Sequence, residues 1–205
     1  RFDIDGRRII CEMQTRRITA IDLDGTGTHI ADRFQGRRFN SPNDVWIDPN
    51  GGIYFTDPRY GATDDIELDG NHVFYITPTT NEVLQVTTNL VRPNGLVGTL
   101  DGRRLYVADH GGGQTFVYDI QPDGRLNNQR VFVSQGADGI TLDSKGNVYL
   151  TGDDVTIYNP SGVPIHSIAV PEPPANLAFG GIDGTTLFIT ARSSLYSVKM
   201  TVTGQ

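Results

Sequence analysis

Asn43, Asn94, Asp138 and Asn176 hold the same place in four related segments of the chain. Each opens an apolar run that passes through a short glycine-bearing turn into a second apolar run, as in Asn43-Asp-Val-Trp-Ile-Asp-Pro-Asn-Gly-Gly-Ile-Tyr-Phe-Thr-Asp57. Counted back from the first apolar residue after the turn (Ile53, Leu105, Val148 or Leu187), the opener stands 10 or 11 residues upstream in every copy. Asn and Asp are ordinary turn formers before a strand, yet turn chemistry does not demand the equivalent place in each repeat. Brought together, three carboxamides and one carboxylate would make a ring of oxygen donors, the set that hard cations such as Ca²⁺ and Mg²⁺ take. Asp138 is the only ionisable member and so the only one able to accept a proton. Asn43 and Asn94 can ligate, orient or donate hydrogen bonds.

The elements that must position this ring follow from the same repeat. A fifth copy starts the chain as Asp5-Gly-Arg-Arg-Ile-Ile-Cys-Glu12 without an opener, so the anchors fall at 9, 53, 105, 148 and 187. A period of about 40 to 50 residues carrying β-type segments is the signature of propeller blades. Paired runs rich in Tyr, Phe, Val and Ile around a short Gly turn read as β-hairpins. Two more strand-like runs per period, such as 73–76 with 82–86 and 155–158 with 165–168, complete four strands. With 24 glycines and 11 prolines and no apolar stripe at helical spacing, the chain is expected to be all-β, one β-propeller domain over residues 1–205. About five blades are present, the first lacking its inner strand. First strands of blades line the central channel, so the four openers are expected near one mouth.

Composition excludes several classes. A net charge of −7 and a pI near 4.9 fit a soluble globular protein and argue against nucleic acid, whose binders carry basic patches. No run of 18 apolar residues is available to span a membrane. The pairs Arg7-Arg8, Arg16-Arg17, Arg37-Arg38 and Arg103-Arg104 are expected at solvated turns or edges. Cys11, the single cysteine, can form neither an intrachain disulfide nor a metal cluster and reads as an inert thiol. Trp46 alternates with Val45 and Ile47 and reads as core. His29, His72, His110 and His166 lack metal-ligand spacing, and neither a Gly-x-Ser-x-Gly elbow nor His-Glu-x-x-His occurs, which sets aside serine-hydrolase and zinc-protease mechanisms. Of the histidines only His110 is placed to matter, because it follows a second strand and returns to the face where inner strands begin. Asp57 and Asp153 approach that mouth by the same alternation, and Arg38 and Asn40 precede it.

Ser41-Pro-Asn-Asp-Val45 with Tyr54-Phe-Thr-Asp-Pro58 and Tyr60-Gly61, then Arg92-Pro-Asn-Gly95, Asp138-Gly139, and Asn176 followed by Ala-Phe-Gly-Gly181, resembles the SMP-30/gluconolactonase/luciferin-regenerating family over nearly the whole chain. The resemblance implies a six-bladed propeller holding one divalent cation in its channel, Ca²⁺ first, with Zn²⁺, Mg²⁺ or Mn²⁺ as alternatives. It also implies hydrolysis of a sugar lactone or related ester. Matched position by position, Asn94 and Asp138 look like direct metal ligands, and Asn43 like a contact to substrate or to water on the cation. The family's remaining ligand, a Glu in a first-blade Glu-Gly-Pro-x-Trp type segment, has no counterpart here; Glu12 lies at the end of a second strand and does not replace it. The sequence is therefore expected to start inside the second blade of a longer protein.

The chemistry expected is metal-assisted hydrolysis of a small lactone, with Asp138 on the cation and acting either as proton acceptor or, because coordination lowers its proton affinity, as the ligand that orients a metal-bound hydroxide; Asn94 and Asn43 are expected on the cation, and Asn43, Arg38 and Asn40 toward the substrate. Two other classes stay open: a non-catalytic ligand-binding propeller, and a protein-interaction propeller working through its rim loops. Oligomeric state and compartment are not written in the residues.

Overall fold

The computed structural model describes every residue from Arg1 to Gln205. The chain contains no helix, so none is long and apolar enough to cross a membrane. It forms successive antiparallel sheets in which strands keep their sequence order, as short turns require. The first blade comprises Arg8–Glu12, Arg17–Ile21 and Gly27–Ala31; a small ribbon, Arg33–Phe34 with Arg37–Arg38, follows it. The second blade runs Val45–Ile47, Ile53–Asp57, His72–Ile76 and Val83–Gln85. The third comprises Pro93–Gly98, Arg104–Asp109, Gln114–Ile120 and Leu126–Val133, and the fourth Ile140–Leu142, Val148–Thr151, Val155–Tyr158 and Pro164–Ile168. Pro174–Gly180, Thr186–Ala191 and Ser194–Lys199 make the fifth. This is the five-blade all-β propeller arrangement that the repeat predicts.

One turn recurs at the head of every blade. The carbonyls of Asp3, Asp48, Thr99, Asp143 and Gly181 accept the N–H of Gly6, Gly51, Gly102, Gly146 and Gly184 at 2.8–3.1 Å. All five glycines have φ between +67° and +88°, a region that L side chains rarely adopt. Where the turn begins with Asp, its carboxylate takes two further backbone N–H groups. Asp48 Oδ1 accepts from Asn50 and Gly52, and Asp143 Oδ1 from Lys145 and Asn147.

In the first copy, which has three strands and lacks an inner one as expected, the same turn is kept. Asp3 Oδ1 accepts from Asp5 and Arg7, Phe2 bridges Arg8, and Ile9 exchanges backbone bonds with Arg1 at 2.8 and 3.1 Å. Residues 1–3 thus reach the strand Arg8–Glu12 through these bonds and one isolated bridge, without forming a strand. A correction concerns Arg16, which is 2% exposed rather than solvated. Its φ of +59° accompanies a guanidinium bonded to the Phe39 carbonyl and to Asp65.

Core clusters lie between blades, and strand alternation distributes them. On the second blade Ile53 and Phe55 pack toward the first blade while Tyr54 packs toward the third; on the third, Leu105 and Val107 face the second while Tyr106 and Ala108 face the fourth. Tyr149 likewise joins Leu177, Leu187 and Ile189 of the fifth blade. Cys11 packs beside the first cluster, and burial raises its thiol well above the usual value, in keeping with an inert role. Trp46 is only half-buried but touches the clusters on both sides of the third blade and stacks on Tyr54 at 5.7 Å. A Cβ on Gly98 would stand 2.3 Å from the Trp46 ring. Gly98→Ala is therefore expected to destabilise the protein by about 1–3 kcal/mol through overpacking, with Trp46→Phe restoring part of the loss. Chemical denaturation of the three proteins checks this, and an unchanged midpoint for Gly98→Ala would show that the indole has room.

Candidate functional site

The four openers stand on consecutive inner strands and are joined to one another. Asn43 N–H donates to the Thr56 carbonyl at 2.9 Å, and the Thr56 hydroxyl donates to the Asn94 carbonyl at 2.7 Å. A Cβ on Gly95 would lie 2.6 Å from the Asp138 carbonyl oxygen, and one on Gly139 would lie 2.6 Å from Asn176 Cα. The glycine after each of Asn94 and Asp138 is thus what lets neighbouring strands touch backbone to backbone. Register shifts at Pro93/Leu96 and Pro174/Asn176 put β-bulges at Asn94 and Asn176, devices that re-aim side chains beside functional sites.

Asn94 is 5% exposed. Its Nδ2 donates to the Tyr60 hydroxyl at 2.8 Å, while its Oδ1 is buried with no partner in the chain. Leaving a buried acceptor unpaired costs about 1–3 kcal/mol, so this oxygen is suited to a partner from outside the chain. Asp138 is the carboxylate beside it. Partial burial raises the Asp138 carboxyl above its ordinary range, and the Asn94 side chain and the charge of His110 hold it back. No cluster of three or more His, Cys, Asp or Glu side chains occurs in the chain. A cation here would rest on carboxamide oxygens beside the single carboxylate of Asp138, a donor set suited to a hard ion.

The remaining predicted residues divide. Asn43 is half-buried at its strand start, next in sequence to Asp44, whose carboxylate accepts from Val45 and Leu96 and so ties two inner strands. Asn176 is exposed, and its Oδ1 accepts from Leu177 N–H. Asn40, expected over the mouth, is 1% exposed, and its Nδ2 donates to the carbonyls of Asp57 and Gly70 inside the second blade. Its Oδ1 also lacks a partner, but the carboxylate beside it, Asp57, is already engaged by backbone. Arg38 sits in the ribbon, with its guanidinium near the Thr15 carbonyl at 3.5 Å and its N–H on Glu67. Neither Arg38 nor Asn40 lines the cleft described below.

Asp57, expected at the rim, is fully buried and clamps the loop ahead of its blade. Its two oxygens accept Asn40 N–H and Ser41 N–H at 2.7 Å each. Burial pushes its carboxyl up to about 7 against those two N–H groups. Asp109 repeats the device on Val91 and Arg92 at 2.8 and 2.7 Å. Tyr60 and Arg92 were visible in sequence only as motif neighbours; the structure stacks the Arg92 guanidinium 5.2 Å from the Tyr60 ring, behind the hydroxyl that fixes Asn94. A cleft of about 810 Å³ runs from Asp138 across the fourth and fifth blades, lined by His110, Gln135, Asp153, Asp154 and Arg192 among others. Its size suits a small polar molecule.

Comparison with known proteins fits this geometry. A gluconolactonase of Zymomonas mobilis is 32% identical over 217 residues, covering 95% of this chain and 60% of its own length. A lactonohydrolase of Aspergillus oryzae is 24% identical, covering 89% and 49%. The chain thus spans between about half and three fifths of these curated relatives. The structure of a gluconolactonase from Xanthomonas campestris superposes with a TM-score of 0.89 at 28% identity, covering all of this chain and 70% of that one. Regucalcin of Agrobacterium tumefaciens, a calcium-binding protein, shares the fold at a TM-score of 0.80 and 19% identity, covering 100% of this chain and 76% of its own. The family model for the SMP-30/gluconolactonase/LRE-like region matches residues 2–193, and the chain belongs to that family.

Proposed function

We propose that the protein hydrolyses a sugar lactone at the mouth of its channel, around Asn94 and Asp138. The observation that carries this reading is the buried, unpartnered Asn94 Oδ1 next to the one ring carboxylate that no backbone N–H engages. The gluconolactonase relatives support it. A divalent cation, Ca²⁺ by the hardness of the donors, would be held by Asn94 Oδ1 and Asp138 with Asn43 alongside, and would supply polarisation of the lactone carbonyl.

The chain's own residues do the rest. Tyr60 takes the Asn94 Nδ2 proton donor and so keeps the carbonyl end of that amide free. Asp138, which no backbone N–H engages, accepts the proton of the attacking water. Asn43 donates hydrogen bonds that orient the substrate, because an amide can give them where a carboxylate cannot.

Asn94→Ala is expected to weaken Ca²⁺ binding with little change in fold, since it removes one oxygen ligand and no charge. Calorimetry on both proteins reads this, and equal affinities take Asn94 out of the site. Asp138→Asn is expected to lower kcat by about a hundred- to ten-thousand-fold, the usual range for a general base, with the melting curve nearly unchanged. Steady-state assays with an aldonolactone at saturating metal measure it; retention of activity within about threefold, judged against that range, would exclude Asp138 as the base.

A further inference from the structure

We infer that His110 delivers a proton to the ring oxygen that leaves when the lactone opens. The inference deepens the lactonase reading and rests on it.

His110 differs from the other histidines in how it is held. His72 is buried, with its ring nitrogens on Asp69 and Gln85 at 3.1 Å each. His29 faces Asp32 at 3.8 Å, and His166 lies on the exposed outer strand of the fourth blade. The His110 imidazole makes no hydrogen bond or ion pair within the chain and lines the same cleft as Asp138. Its backbone, by contrast, packs against the neighbouring loops at Arg92 and Gly136. The preceding Asp109 binds the N–H groups of Val91, Arg92 and Gly112. A Cβ on Gly111 would stand 2.6 Å from Arg92 Cβ, and one on Gly136 would stand 2.9 Å from His110 Cα. Two glycines with no room for a side chain therefore seat His110 between the loop that leads to Asn94 and the loop that leads to Asp138. A rigidly seated backbone carrying an unengaged ring is what presenting a side chain to a ligand requires.

His110 and Asp138 line one cleft and form no ion pair with each other. The chemistry needs a second proton carrier. Water adds to the acyl carbon and passes a proton to Asp138. The tetrahedral adduct then collapses and the acyl carbon–ring oxygen bond breaks, its electron pair going to the ring oxygen. An alkoxide is a poor leaving group, so the oxygen takes a proton from the His110 imidazolium as the bond breaks. The proton on Asp138 returns to the imidazole through solvent, and the net change is addition of one water to give the open hydroxy acid. Histidine is the side chain suited to carrying such a proton near neutral pH.

The test compares leaving groups in the full-length protein. For His110→Gln, kcat on an aliphatic aldonolactone should fall about a hundredfold or more. On dihydrocoumarin, whose phenolate leaves without a proton, it should fall less than about tenfold. Calcium affinity by calorimetry and the melting temperature should be unchanged. Added imidazole should restore part of the activity of His110→Ala on the aldonolactone. Equal losses on the two substrates, reduced calcium affinity, or a loss within about threefold on the aldonolactone would overturn the assignment. If the unsubstituted protein opens neither lactone, the lactonase reading itself falls, an outcome separate from any effect of His110.

Discussion

Neighbouring inner strands of this propeller approach until backbone meets backbone, and the geometry of the site depends on that contact. At Gly95 a side chain would strike the Asp138 carbonyl, and at Gly139 it would strike Asn176 Cα, both at 2.6 Å. Real Cβ atoms do not come so near, so the residue after Asn94 and the residue after Asp138 have to be glycine for the third, fourth and fifth blades to close up. The consequence is functional as well as structural. Strand starts packed this tightly set Asn94 and Asp138 side by side, and Thr56 extends the chain of contacts back to Asn43, its hydroxyl donating to the Asn94 carbonyl at 2.7 Å and its carbonyl accepting Asn43 N–H at 2.9 Å. Rigid positioning of this kind is what distinguishes a ring of donors from a set of turn residues.

The aspartates illustrate how one residue type serves two ends. Asp48 and Asp143 wrap the hairpin turns, Asp57 and Asp109 clamp the loops ahead of the inner strands, and Asp44 ties the second blade to the third. Each of these carboxylates has its lone pairs occupied by backbone N–H groups, the strong charge-assisted kind of hydrogen bond. Asp138 accepts none and faces a cleft. A carboxylate bound by backbone donors is a poor base, because every donor stabilises its charged form. The fold thereby commits these five aspartates to structure, whereas Asp138 is left without a backbone donor.

The support behind Asn94 follows the same logic at one remove. A carboxamide can turn either end toward the channel, and which end matters depends on what holds the other. The Tyr60 hydroxyl takes Nδ2, and the Arg92 guanidinium packs on the Tyr60 ring. Arg92 in turn has its N–H on Asp109. Asn94 is thus oriented by a chain of contacts that begins at the end of a second strand in its own blade, next to His110.

The repeat by itself determined the all-β propeller, the alternation of Trp46 with Val45 and Ile47, the glycine turns, and the equivalence of Asn43, Asn94, Asp138 and Asn176. These are local properties: period-2 alternation, positive φ and spacing from an anchor are all carried by residues near one another in the chain. Only the tertiary structure decided that Asn94 and Asp138 adjoin, that Asn40 and Asp57 are locked in the blade wall, that Arg16 is buried, and that Tyr60 and Arg92 stand behind Asn94. It also showed that Arg1 and Phe2 bond to Ile9 and Arg8 without forming a strand. Those facts depend on pairs such as Thr56 with Asn94 and Arg16 with Asp65, which lie 38 and 49 residues apart. No local pattern reports which of many equivalent polar side chains will find a backbone partner at such a distance and which will be left to meet a ligand.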